Sequence, residues 1–114
     1  QCDYSNLKCI AFTPKLDFLS CNYTKIREVN HLISLRTLNC EHTNINNVDD
    51  LVNLVKLYCS YTNITNVSTL VNLSSLRCGN TLISDISNNK FLLNLYCNNS
   101  MISLTNDEKR KFRH

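Results

Sequence analysis

The sequence predicts an α/β-type solenoid, a stack of short turns with a parallel sheet of short strands along one side and a mostly non-helical opposite side. Three observations carry this. Six of the seven cysteines, Cys2, Cys21, Cys40, Cys59, Cys78 and Cys97, fall 19 residues apart. Aliphatic residues travel with them at fixed offsets. The chain of 114 residues holds one Gly and one Pro, so tight glycine turns cannot define its architecture. Repeats of about this length are the signature of stacked arrays in which no unit buries its apolar face alone. A disulfide framework or a zinc site would not space cysteines evenly over six turns, since zinc sites favour closely spaced pairs.

Each offset from the cysteine forms a column. Five residues on stand Leu7, Ile26, Ile45, Ile64, Ile83 and Ile102; eight on stand Ile10, Val29, Val48, Val67 and Ile86, with Thr105 breaking the pattern. Leu35, Leu54, Leu73 and Leu92 follow at fourteen and Leu38, Leu57, Leu76 and Leu95 at seventeen. Three residues on, a hydroxyl recurs in Ser5, Thr24, Thr43, Thr62, Thr81 and Ser100. Segments such as Leu57-Tyr58-Cys59 alternate inward and outward, as short strands do. The V-x-x-L-x-x-L stretches, such as Val48 to Leu54, leave room on the opposite side for a turn of helix, 3₁₀ or extended chain.

The unit L-x-x-L-x-C-x-x-T-x-I-x-x-V-x-x-L-x-x resembles the leucine-rich repeat family, whose signature is L-x-x-L-x-L-x-x-N/C-x-L. Leu35, Leu38, Cys40, Thr43 and Ile45 fill it in one turn, and Leu54, Leu57, Cys59, Thr62 and Ile64 in the next. Cys stands for the third Leu, and Thr or Ser for the Asn whose side chain bonds neighbouring loop backbone in that family. The resemblance covers all but about ten C-terminal residues. It implies a concave, ligand-binding sheet face. Short Cys-bearing units of this kind are similar to those of giant DNA viruses of amoebae. The scarcity of Ala, Gly and Pro beside 18 Asn is what an AT-rich genome, common among such viruses, would encode.

Residues 1–104 are expected to form the array, about six repeats, and residues 105–114 its C-terminal cap. In the fifth turn Asn89 replaces the Leu of Leu32, Leu51 and Leu70, with Phe91 nearby to fill the space. Thr105 and Glu108 have capping-box spacing, with acids in the first turn and bases in the last. A short helix closing the core end follows. The basic run Lys109 to Arg113 reads as its solvated face. At the other end Gln1-Cys2 already lies in a strand, so an N-terminal cap is missing, and assembly through that uncapped edge is open.

Several function classes fall away. A single glycine, Gly79, excludes glycine-rich phosphate loops. The net charge of +3 is too modest for a nucleic-acid footprint. No apolar run is long enough for a membrane span. His31, His42 and His114 share no spacing with a nucleophile and an acid, and no metal site or cofactor is expected. The cysteine column should be buried packing, with Cys9 out of step. Its thiols favour a reducing intracellular compartment: cytoplasm, host cytoplasm or virion.

The outward columns hold the functional signal. All five tyrosines, Tyr4, Tyr23, Tyr58, Tyr61 and Tyr96, fall on the strand side, with Phe18, Glu41, His42, Lys56 and Arg77. Tyrosine supplies large rigid contact area with a polar tip. These ten residues are the expected site, and a protein is the expected partner, bound by a non-catalytic interaction module. Two alternatives stand beside it: a structural or virion-assembly component, and the substrate-recognition part of a larger enzyme such as a ubiquitin ligase.

Overall fold

The computed structural model describes residues 15–112. The first expected turn, with Cys2, Tyr4, Cys9 and the N-terminal edge, lies outside the described residues, as do Arg113 and His114. Five strands of three residues each, β1 (Phe18–Ser20), β2 (Thr37–Asn39), β3 (Lys56–Tyr58), β4 (Ser75–Arg77) and β5 (Asn94–Tyr96), form one sheet in chain order. Every pair is parallel and registered at 19 residues, so Leu19, Leu38, Leu57, Leu76 and Leu95 lie side by side. The fold is a leucine-rich repeat solenoid with a short-stranded parallel sheet on its concave side.

Alternation decides what is buried. The central Leu of every strand points into the core and its two neighbours point out. Two residues further the cysteine is again inside. Cys40, Cys59 and Cys78 are fully buried, stacked with Ile45, Ile64, Ile83 and the leucine columns in one continuous cluster. On the opposite side, consecutive three-residue turns replace helix. Leu51 N–H donates to Val48 O at 3.0 Å and Leu54 N–H to Leu51 O at 3.1 Å, with the same pattern at Val29 and Val67. A spacing of three thereby sends Val, Leu and Leu inward together.

The column of hydroxyls closes each turn. Thr24, Thr43, Thr62 and Thr81 each donate to the carbonyl of their own cysteine at 2.6–2.7 Å. The same oxygens accept the N–H of Ile26, Ile45, Ile64 and Ile83 at 3.4–3.5 Å. Both bonds stay within one turn. Turn-to-turn bonding comes from backbone, as in Cys59 N–H to Arg77 O at 2.7 Å and Tyr61 N–H to Gly79 O at 3.1 Å. Convex side chains add to it. Asn53 and Asn72 donate to Ile33 O and Val52 O, and Thr69 and Asn88 to Asp49 O and Ser68 O. Asn47 and Asn66 form the corners by accepting the N–H two residues on, a local bond that short Asx side chains make readily. Asp85 does the same, and bonds from the Ser87 backbone N–H and hydroxyl lower its carboxyl pKa.

Helix α1 (Asn106–Lys111) is capped as the spacing predicts: Thr105 accepts from Glu108 N–H while Glu108 accepts from Thr105 N–H. Its six residues are all polar and none is buried. The core is instead closed by Phe112 just past the helix, 4% exposed. It belongs to the core cluster, against which Ile86, Cys97, Ile102 and Leu104 pack partly buried. One expectation is corrected. Phe91 does not fill the place of the missing leucine; it is 67% exposed, and Asn89 itself occupies the core. Asn89 can do so because its Nδ2 donates to Val67 O at 3.0 Å and Leu70 O at 2.9 Å, although its Oδ1 has no partner.

Two expected outcomes follow from this packing. Val67 O and Leu70 O already accept the N–H of Leu70 and Leu73, so neither is orphaned in Asn89→Leu. The substitution removes an unpaired buried oxygen and adds apolar burial, and it should raise stability by about 1–2 kcal/mol in urea denaturation. A lower midpoint would show that the amide bonds outweigh the leucine. Burial pushes the Cys21 thiol up to about 11 and Cys78 to about 12, and raises Cys40 and Cys59 well above the ordinary value. At neutral pH these four should resist alkylation in the native protein while the partly exposed Cys97 reacts, as peptide mapping by mass spectrometry would show.

Candidate interaction face

The turn just after each strand positions the aromatic residues. Two residues beyond each cysteine the backbone enters the left-handed region, with φ of 61° at Tyr23, 58° at His42, 60° at Tyr61, 58° at Asn80 and 60° at Asn99. Asn and His tolerate this conformation, whereas a bulky Tyr is an outlier there. The next turn fixes it, since Tyr23, His42, Tyr61 and Asn80 each donate their N–H to the carbonyl one rung along, at 2.9–3.1 Å. Of the 18 asparagines, only Asn80 and Asn99 occupy these corners among the described residues. Tyr and His take the other three.

The 19-residue register then stacks the rings. Tyr23 and His42 lie with centroids 4.3 Å apart and planes within 9°, and His42 and Tyr61 4.3 Å apart and within 13°. Tyr23 is 74% and Tyr61 53% exposed. Aromatic contacts contribute about 0.5–1.5 kcal/mol each, while a left-handed L-residue costs about 1–2 kcal/mol. Two contacts contribute about 1–3 kcal/mol, the same order as the cost of about 2–4 kcal/mol for two strained tyrosines, so the stack adds little net stability.

A second cluster forms across β3, β4 and β5. The Arg77 guanidinium lies over the Tyr58 ring at 5.1 Å and the Tyr96 ring at 5.4 Å, one from each flanking strand. Glu41 approaches it, Oε2 to Nη1 at 4.0 Å, too long for a hydrogen bond. That Oε2 is buried without a donor. Gly79, one residue after Cys78, keeps the surface low beside Arg77, because a Cβ there would stand 2.9 Å from Asn98 O.

Of the ten expected site residues, Tyr4 lies outside the described residues. Tyr23, His42 and Tyr61 come together in one column, and Tyr58, Arg77, Tyr96 and Glu41 in the other. Lys56 and Phe18 open β3 and β1, both exposed, and neither has a ring contact with the two clusters. Ser75, Leu76 and Asn94, which line the cleft between Tyr58 and Tyr96, were not singled out in the sequence; their strand columns already contained them. Also missed is a convex aliphatic column, Ile33, Val52 and Val71, each at least 44% exposed. Its spacing was visible, but its side of the turn was not. Among the described residues no group of His, Cys, Asp and Glu could hold a metal ion, and no helix is long and apolar enough to cross a membrane.

No protein-family model matches the sequence, and no curated protein matches it. Solved structures do match in fold. An internalin F from Listeria monocytogenes is similar with a TM-score of 0.71 at 23% identity, over 90% of this chain and 33% of that one. An internalin C2 from the same organism is similar with a TM-score of 0.68 at 23% identity, over 89% and 50%. The functional domain of InlJ, also from L. monocytogenes and described as including a cysteine ladder, is similar with a TM-score of 0.55 at 24% identity, over 82% and 27%. The chain thus spans at most half the length of these proteins. At such identity the likeness is one of fold, and the fold is the leucine-rich repeat solenoid that the resemblance of the repeat unit implies.

Proposed function

We propose that this chain is a non-catalytic interaction module that binds a protein partner through its tyrosine-rich concave face. The observation that carries the reading is the Tyr23–His42–Tyr61 stack, exposed aromatic surface maintained on strained backbone. Strain of this kind collects at functional positions, and rigid aromatic surface is the chemistry of interface hot spots. The leucine-rich repeat fold, typical of protein-binding modules, supports it. Residues 1–104 then constitute the binding array and residues 105–114 its cap. The net charge of +3 favours a protein over a nucleic acid as partner.

A second reading, a structural assembly component using both faces, draws on the exposed Ile33, Val52 and Val71 column. In that case Val52→Lys should lower the oligomeric state by sedimentation, whereas the concave-face reading predicts no change. The free cysteines of the core support a reducing compartment. Denatured protein prepared without reductant should therefore titrate close to its full complement of seven thiols; two or fewer would overturn that placement.

The face is tested without disturbing the fold by Tyr23→Asn combined with Tyr61→Asn, since the chain itself places Asn80 and Asn99 at the equivalent corners. Losing two stacks while relieving two strained tyrosines should leave stability within about 1 kcal/mol. Affinity capture with the variant should lose the partners retained by the unmodified chain. Unchanged partners with an intact fold would refute the reading.

A further inference from the structure

Resting on the reading of the concave face as a protein-binding surface, we propose that the cleft across β3, β4 and β5 recognises a side-chain carboxylate of an acidic peptide segment, with Arg77 as its anchor. The cleft has a volume of about 260 Å³ and is lined by Tyr58, Ser75, Leu76, Arg77, Asn94 and Tyr96. The outward positions of these three strands are Lys56, Tyr58, Ser75, Arg77, Asn94 and Tyr96. They carry two cations and no acid.

Arg77 is held in place by ring faces and not by hydrogen bonds. Tyr58 and Tyr96 flank its guanidinium at 5.1 and 5.4 Å, and its side chain remains 49% exposed. Its nearest carboxylate, Glu41, stays at 4.0 Å. The N–H fork therefore has an ion pair with Glu41 but no hydrogen-bonded carboxylate, on a guanidinium held between two rings. A planar carboxylate matches that fork bidentately, and ordering a side chain already clamped costs little further entropy. Ser75 adds a hydroxyl at the cleft wall, where it accepts from Asn94 Nδ2 at 3.2 Å and keeps its own proton to donate. Glu41 offsets part of the Arg77 charge, and Lys56 on β3, outside the cleft lining, leaves this face with a positive balance.

The test uses N-acetyl-tetraglutamate amide as the probe, titrated into the ¹⁵N-labelled chain at low ionic strength and followed by NMR, with N-acetyl-tetralysine amide as the control. The acidic probe should give saturable shifts at the amides of Ser75, Arg77, Asn94 and Tyr96 and at the Arg77 Nε–H; the basic probe should give none there. Arg77→Gln should abolish the shifts, and Arg77→Lys, which keeps the charge but not the fork, should weaken binding roughly tenfold. Glu41→Gln should tighten it by removing the like charge. An absence of saturable shifts, equal affinity in Arg77→Gln with unchanged distant amides, or weaker binding in Glu41→Gln would each overturn the assignment. Partner capture lost in the Tyr23 and Tyr61 double variant but kept in Arg77→Gln would overturn this cleft alone. Capture unaffected by any of these substitutions would sink the concave-face reading itself.

Discussion

Everything in this molecule depends on one constraint: a turn of 19 residues can bury its apolar side only against the next turn. Each rung supplies a few inward side chains, among them Leu57, Cys59, Ile64, Val67, Leu70 and Leu73, all at 0% exposure. None of these would leave water without the rung on either side. Parallel registration at a fixed period is the arrangement that sets every inward residue on its own kind. It makes the cysteine column a packing element, small enough to follow a strand without crowding the sheet. It also raises the thiols far above their ordinary pKa, so that they behave as small apolar groups.

The same constraint builds the surface. Because register repeats residue for residue, any outward position becomes a column with rungs one strand spacing apart. Aromatic residues in such a column must stack, as Tyr23, His42 and Tyr61 do. A cation between two aromatics must be clamped, as Arg77 is by Tyr58 and Tyr96. Substitutions in outward columns change the face without touching the core, which is how one framework can present different chemistries. The Thr ladder allows this independence. Each hydroxyl closes its own turn, so the corner geometry does not rely on what projects from it.

Much of this was legible in the sequence. The period fixed strand positions and register, since only one spacing aligns six cysteines with the leucine, isoleucine and hydroxyl columns. The capping box of α1 followed from Thr105 and Glu108 alone. What the sequence did not reveal were features that depend on backbone angle or on depth. That Tyr23 and Tyr61 hold left-handed corners has no composition signal, because Asn tolerates that conformation and a bulky Tyr does not. Asn89 shows the limit of column reasoning. A polar residue in a leucine column suggested that a neighbour would replace it, but carbonyls one turn back accept its amide at depth. The capping-box spacing points to the helix as the end of the core, whereas the apolar residue just beyond it, Phe112, does the covering.

The most direct test of the link between period and face is the NMR ring-current shift of the His42 imidazole protons. If residues 19 apart lie face to face, Hδ2 and Hε1 of His42 are shielded by two tyrosine rings and resonate well upfield of an unstructured histidine. They move part of the way back in Tyr23→Asn, and likewise in Tyr61→Asn. Unshifted imidazole protons, indifferent to both substitutions, would contradict the stacked register on which the proposed interaction face rests.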